Sequence, residues 1–231
     1  PTFAKMAALS RQMNHFFSLW LPAFCAEKYP DTYTVFAGGD DFFLIGPWLQ
    51  TQKLAAEMRE QFRRYVAENA AITFSAGIAV IKPGLPPGKL SAYAEEALEA
   101  AKAYPANENE KRKQLGSKNS VCVYGQVVSW QQWSGIQEAF ERIGRLKEAY
   151  GLSTGFVYSM LQFCEQAEAE KGGDINAGMW RSRFAYRTRR FVNDSKSITD
   201  KNNGYAQLTE AFYQNGIEKL GAKYRIPLFN H

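Results

Sequence analysis

Tyr33-Thr-Val-Phe-Ala-Gly-Gly-Asp-Asp-Phe-Phe-Leu-Ile-Gly46 sets two short apolar runs, rich in aromatic and β-branched residues, on either side of Gly38, Gly39, Asp40 and Asp41. That pattern predicts a β-hairpin, with strands near 33–37 and 42–46, whose turn presents two carboxylates. On a regular strand neighbouring side chains point to opposite faces, so Asp40 and Asp41 serve one cation only where the turn breaks the alternation. The glycines permit such a break and let backbone amides approach a phosphate closely. Adjacent hard oxygen ligands suit Mg²⁺ or Mn²⁺ bridging a nucleoside triphosphate. A plain tight turn accounts for the same four residues, since Gly and Asp are favoured turn formers.

Working outward, Met6, Leu9, Met13, Phe16 or Phe17, and Trp20 recur at helical steps, so residues 4–21 are expected to form an amphipathic helix ending before Pro22. His15 on that helix reads as a packed structural residue. A second helix is expected over 50–67, with Leu54, Met58 and Phe62 inward and Arg59, Arg63 and Arg64 on the wet side. Strict alternation over Ile72–Val80 predicts a strand, ended by the Pro- and Gly-rich residues 82–88. A third helix near 90–103 is Ala-rich, with Leu90, Tyr93, Ala97, Leu98 and Ala101 inward and Lys102 in its last turn. Residues 107–119 are polar and charged, and Ser120-Val-Cys-Val-Tyr124 makes a further short strand.

The order helix, strand, strand, helix, strand, helix, strand is a ferredoxin-like βαββαβ plan without its opening strand. In that plan the first strand is central, and leaving it out exposes unpaired backbone and an apolar face. The upstream part of the same polypeptide is therefore expected to supply it. From about Ser129 the pattern becomes helical only, with an apolar stripe over Trp133–Tyr150 closed by Gly151, a helix expected to start after Ser153-Thr154 and end at Gly172-Gly173, and two more near 176–193 and 204–220. The expected organisation is a palm-like α+β domain over 1–130 and an all-α helical domain over 131–231. The third of those helices carries Arg181, Arg183, Arg187, Arg189 and Arg190 interleaved with Trp180, Phe184 and Tyr186. Arginine and aromatic groups together suit RNA or a protein partner.

At 231 residues the chain is long enough for a substantial core, and a net charge of +5 gives a mild bias toward polyanions. No apolar run is long enough to cross a bilayer, which argues against a membrane partner. Cys25, Cys122 and Cys164 are odd in number and widely spaced, so they make neither a disulfide framework nor a zinc knuckle. A reducing cytoplasm is the expected location.

Three signals in order, Gly38-Gly39-Asp40-Asp41-Phe42, Ile72–Ala79 and Ala94–Lys102, resemble the GGDEF and nucleotidyl-cyclase palm domains. The segments Leu9–Phe17 and Gly116–Gly125, Val128-Ser-Trp130 and the helical part around Trp180–Arg190 are similar to the large polymerase-like subunit of the type III-A CRISPR effector, the Csm complex. The resemblance covers most of the chain and corresponds to that subunit's second palm domain and terminal helical domain. It implies a synthetase that joins ATP through 3′–5′ links into cyclic oligoadenylates when guide RNA and target RNA are bound, among other Csm subunits. It assigns Asp40 and Asp41 to the catalytic metal, Mg²⁺ or Mn²⁺, and Gly38, Gly39, Lys102 and Lys118 to the nucleotide. Ser75, on a neighbouring strand, is a further nucleotide-binding candidate. A palm site takes another acidic ligand from its opening strand, so these residues alone are expected to bind metal poorly. A diguanylate cyclase shares the hairpin, although Asp41 stands where that family has Glu. A non-catalytic RNA-binding scaffold is the reading from another class.

Overall fold

The computed structural model describes residues 2–104 and 118–229, and the chain divides into two compact units, Pro1–Trp130 and Gln131–His231. The polar stretch 107–119 lies outside the described residues up to 117, as do Gly116 of the resembling segment and His231.

In the first unit, α1 (Phe3–His15) is capped by Thr2 and continues through a π-helical turn at Phe16–Trp20 into α2 (Leu21–Lys28). The helix thus runs through Pro22 instead of ending before it. The Leu21 N–H bonds the Phe16 carbonyl, five residues back, and this wider turn accommodates a residue that has no N–H to give. Phe16 and Phe17 are buried, whereas no residue of α1 is, and His15 is exposed, contrary to its reading as a packed residue.

Strands β1 (Tyr33–Gly38) and β2 (Asp41–Ile45) form the expected antiparallel hairpin, with Ala37 opposite Phe42, Thr34 opposite Leu44 and an irregularity at Val35. Phe42 stacks on Phe17 at 5.3 Å, so alternate residues of β2 face the helices. Helix α3 (Trp48–Tyr65) adds Leu54, Met58 and Phe62 to that core. Arg63 and Arg64 point outward and share Glu60, but Arg59 is half-buried and donates to Asn119 Oδ1 at 3.1 Å.

A second sheet contains β3 (Ala76–Ile78) parallel to β4 (Ser120–Val123), and β4 antiparallel to β5 (Gln126–Ser129). The strand expected over 72–80 is thus three residues long. The four-residue β4 offers it only a short ladder, and Ile72 and Phe74 turn down onto the aromatic core instead. Strand β5 is not anticipated by the hydropathy pattern. It follows a two-residue turn in which Tyr124 and Gly125 both have positive φ, 51° and 71°, as a type I′ hairpin requires.

Helix α4 (Pro87–Ala103) lies directly on this sheet. A Cβ at Gly77 would run into the backbone at Leu98 and come within 2.7 Å of the Ala94 carbonyl, so only glycine allows the approach. Ala101 is buried, but Tyr93 is 48% exposed and overhangs an apolar cavity of about 620 Å³, a departure from its expected inward position.

The described residues of the second unit form helices: most of α5 (Trp130–Tyr150), then α6 (Thr154–Lys171), α7 (Trp180–Asp194), α8 (Lys201–Leu208) continued by a π-helix at Thr209–Glu218, and a short α9 (Arg225–Phe229). Gly151, at φ 64°, ends α5, and Ser153 caps α6 by accepting the Phe156 N–H at 3.2 Å. Phe156, Met160, Trp180, Phe184, Leu208, Phe212 and Tyr224 meet in one core. The Tyr224 hydroxyl is satisfied by donating to the Ala211 carbonyl at 2.9 Å, and burial pushes its pKa well up.

Candidate active site at the acidic hairpin

Gly38 pairs with Asp41, leaving Gly39 and Asp40 as the two central turn residues. Gly39 has φ 65° and Asp40 does not share the positive sign, the combination that marks a type II′ turn. No neighbour crowds the place of a Gly39 Cβ, so the demand for glycine there is conformational rather than steric. Asp40 and Asp41 are both exposed. Asp41 begins β2 on the face opposite Phe42, with Asp40 at the tip of the turn.

The sequence reading missed the residue that holds this turn. Asn14 Oδ1 accepts the Gly39 N–H at 2.8 Å and the Ser18 hydroxyl at 2.8 Å, joining the end of α1 to the turn across 25 residues. Ser18 sits in the π-helical turn, which swings it under Gly38. The Gly39 amide is thereby committed to Asn14, whereas the sequence reading offered it to a phosphate. Asn14 lies inside a helical pattern that gives no local hint of this bond.

Lys102 lies in the last turn of α4, which the helix's close seat on Gly77 and the Ser120 hydroxyl bond to the Ala101 carbonyl at 2.5 Å fix. Lys102 donates to Glu99 Oε1 at 2.9 Å. Its pKa is raised, first by that hydrogen bond, then by the charges of Glu99, Asp41 and Glu95. Its ion pair is with Glu99, and no hydrogen bond or ion pair among the described residues joins Lys102 to the turn. Ser75 lies just before β3 with its hydroxyl buried and without a hydrogen-bond partner, and Lys118 is exposed, its carbonyl accepting the Thr73 hydroxyl at 2.8 Å. No hydrogen bond or ion pair among the described residues joins Ser75 or Lys118 to the turn.

Two adjacent carboxylates fit a hard divalent cation. The described residues hold no group of three or more acidic, histidine or cysteine side chains that would complete its shell. In the second unit, Arg181 is bound to Glu170, Arg187 to the Gly155 carbonyl and Arg190 to Asp194, while Arg189 lies over the Tyr205 ring.

An exposed acidic hairpin backed by helices on a mixed α+β unit places the chain in the class of palm domains. It belongs to the Cas10/Cmr2 family, whose second-palm-domain model matches residues 1–121.

Two curated relatives are both named CRISPR system single-strand-specific deoxyribonuclease Cas10/Csm1 (subtype III-A). The one from Methanocaldococcus jannaschii is 32% identical over 140 residues, 56% of this chain and 18% of its own length. The one from Thermococcus onnurineus is 30% identical over 186 residues, 70% of this chain and 23% of its own. The chain therefore spans about a quarter or less of these relatives. A solved Csm1–Csm4 cassette in complex with one ATP aligns over 97% of this chain and 32% of its own, with TM-score 0.60 and 20% identity. A cassette in complex with cA3 aligns over 80% and 27%, with TM-score 0.57 and 21% identity. No helix among the described residues is long and apolar enough to cross a membrane.

Proposed function

We propose that this chain carries the nucleotidyl-transfer site of a type III-A effector subunit, which joins ATP through 3′–5′ links into cyclic oligoadenylate when target RNA is bound. The observation that carries the reading is the pair of exposed carboxylates, Asp40 and Asp41, on a turn latched by Asn14 with Lys102 in electrostatic range. The similar cassettes solved with ATP and with cA3 support it, and they favour a Csm4-type subunit as a neighbour.

In this reading Asp40 and Asp41 hold Mg²⁺ or Mn²⁺. The ion, when bound, supplies charge neutralisation at the pyrophosphate leaving group and acidifies an attacking 3′-hydroxyl. Lys102 adds a fixed positive charge for the triphosphate, while Asn14 keeps the turn from collapsing, so positioning and electrostatics supply the acceleration. Ser75 and Lys118 are further nucleotide contacts in this reading.

We read the two sheets as parts of one ferredoxin-like sheet. Among the described residues β2 and β3 each have an open edge, and Phe42 and Phe74 under them share the floor of Phe17 and Phe62. An extended segment of the same polypeptide, paired between those edges, would close the sheet and bring the missing acidic ligand.

The test is the reconstituted effector with guide and target RNA, incubated with ATP or GTP. Asp40→Ala and Asp41→Ala are each expected to lower cyclic oligoadenylate output by about a hundredfold or more. Unchanged output removes the proposal, and a cyclic product made from GTP alone moves the chain to the diguanylate cyclases.

A further inference from the structure

We propose that the outward face of α7 is a docking site for single-stranded RNA centred on Tyr186. The inference rests on the second unit alone and is independent of the acidic hairpin. Trp180, Phe184, Thr188 and Val192 bury one side of α7, which fixes the opposite side as a rigid surface.

The arginines of this helix divide by what already occupies them. Arg181 is tied to Glu170 Oε2 at 2.6 Å and lies 4.9 Å over the Trp180 ring, so its guanidinium closes a contact between α6 and α7. Arg189 lies 4.9 Å over the Tyr205 ring. Arg187 donates to the Gly155 carbonyl at 3.1 Å, spending one of its N–H groups. Arg183 has no ion pair among the described residues. Arg190 has only a 3.7 Å approach to Asp194, with side chains 69% and 73% exposed, and a pair that open to water holds its charge weakly.

Arg183, Tyr186 and Arg190 fall on one face at steps of three and four residues. Tyr186 is 67% exposed. A large ring left in water between Arg183 and the loosely paired Arg190 repeats the order phosphate, base, phosphate of a single strand. The arginines span roughly 10 Å along the helix axis. Tyr158, on α6 three residues after the Gly155 whose carbonyl Arg187 binds, is a second exposed ring at 62%. Stacking on such rings requires bases already out of a duplex, which selects a single strand. Ser182 and Asn193 are exposed on the same face and offer hydroxyl and amide partners for a ribose 2′-hydroxyl, which selects RNA over DNA.

The experiment follows fluorescence anisotropy of a labelled RNA of about twelve nucleotides with the full 231-residue chain. The double variant Arg183→Glu with Arg190→Glu is expected to weaken binding about tenfold or more and to reduce the salt slope by about 1.4, two phosphate contacts' worth. Tyr186→Ala is expected to cost about fivefold or more, with little change in that slope. Arg145→Glu, on exposed α5 surface beside Glu141, is expected to leave affinity unchanged. All of these side chains are exposed, so circular-dichroism melts should coincide, which separates lost binding from lost folding. Unaltered RNA affinity in the α7 variants overturns the proposal. So does equal affinity for single-stranded DNA of the same sequence, or a defect confined to incorporation into the effector, which would make the face a protein contact.

Discussion

The two units treat their apolar residues differently. The helical unit gathers Phe156, Met160, Trp180, Phe184, Phe212 and Tyr224 into a core to which every helix from α5 to α9 contributes. The first unit buries Phe16, Phe17, Leu54, Met58 and Phe62, yet leaves Phe3 at 89%, Met6 at 59%, Tyr33 at 70% and Phe36 at 54% exposed. Patches of this kind on α1 and on the outer face of the hairpin are characteristic of surfaces meant to be covered. The difference teaches that a closed core and an assembled site are separate achievements. The second unit closes its core while leaving single rings such as Tyr158 and Tyr186 in water, and the acidic hairpin stands on a scaffold that, among the described residues, still offers open strand edges.

The largest expected effect tests the closed side of this contrast. Phe212→Ala should cost about 3–5 kcal/mol, because it empties the place where the π-helix at Thr209–Glu218 meets Phe156 of α6 and Tyr224. Hydrogen exchange should then rise across residues 154–229 first. An equal rise across α3 would break the contrast.

Next comes Gly77→Ala, which should cost about 1–3 kcal/mol, since the methyl meets α4 backbone and not a movable side chain. It should also shift the end of α4, read by NMR as changed amide shifts around Ala101 and Lys102. A variant that melts like the parent would show that α4 sits on the sheet less closely than its geometry indicates.

A smaller effect is expected at the hinge between scaffold and site. Asn14→Ala should cost about 1 kcal/mol, because it leaves the Gly39 amide and the Ser18 hydroxyl to water. Exchange at the Gly39 amide is the direct readout. Asn14→Asp keeps the acceptor and should restore most of the protection.

The smallest effect distinguishes the units by acid. Glu170 is held below the ordinary carboxylate value first by its hydrogen bond to Arg181, and Glu210 first by its bond to Arg142. Their stabilisation is present above the ordinary carboxylate pKa and is lost as pH falls through the lowered values. Both pairs join different helices, whereas Glu60, also lowered, serves Arg63 and Arg64 on its own helix. Acid titration should therefore loosen tertiary contacts of the second unit while α3 keeps its helicity. Glu170→Gln should remove part of that pH dependence.

Much of this was legible in the residues. The hairpin followed from two glycines between β-rich runs, and the helix ends at Gly151 and Ser153 followed from ordinary capping chemistry. What escaped was set by distant parts of the chain. Strand β5 is four residues long, too short for alternation to declare itself, although Tyr124-Gly125 was a usable turn signal. Tyr93 matched a helical apolar stripe, but the three-stranded sheet does not reach far enough to cover it. Asn14 became part of the site through one bond to residue 39, which no window on α1 contains. The place of Lys102 in the last turn of α4 likewise depends on how closely Gly77 lets that helix descend.

The π-helical turn at Phe16–Trp20 holds one residue more than ordinary winding needs. Five residues at about 4.4 per turn sweep nearly the same angle as four at about 3.6, so removing one residue between 16 and 20 would restore ordinary winding and leave the thirteen-residue α1 close to its present phase. Position 15 has no such slack: a deletion there, with the wide turn kept, would rotate Asn14 by about 100° away from Gly39 although every side chain of the hairpin were intact. Two single-codon deletions a few residues apart would therefore have opposite consequences for the site.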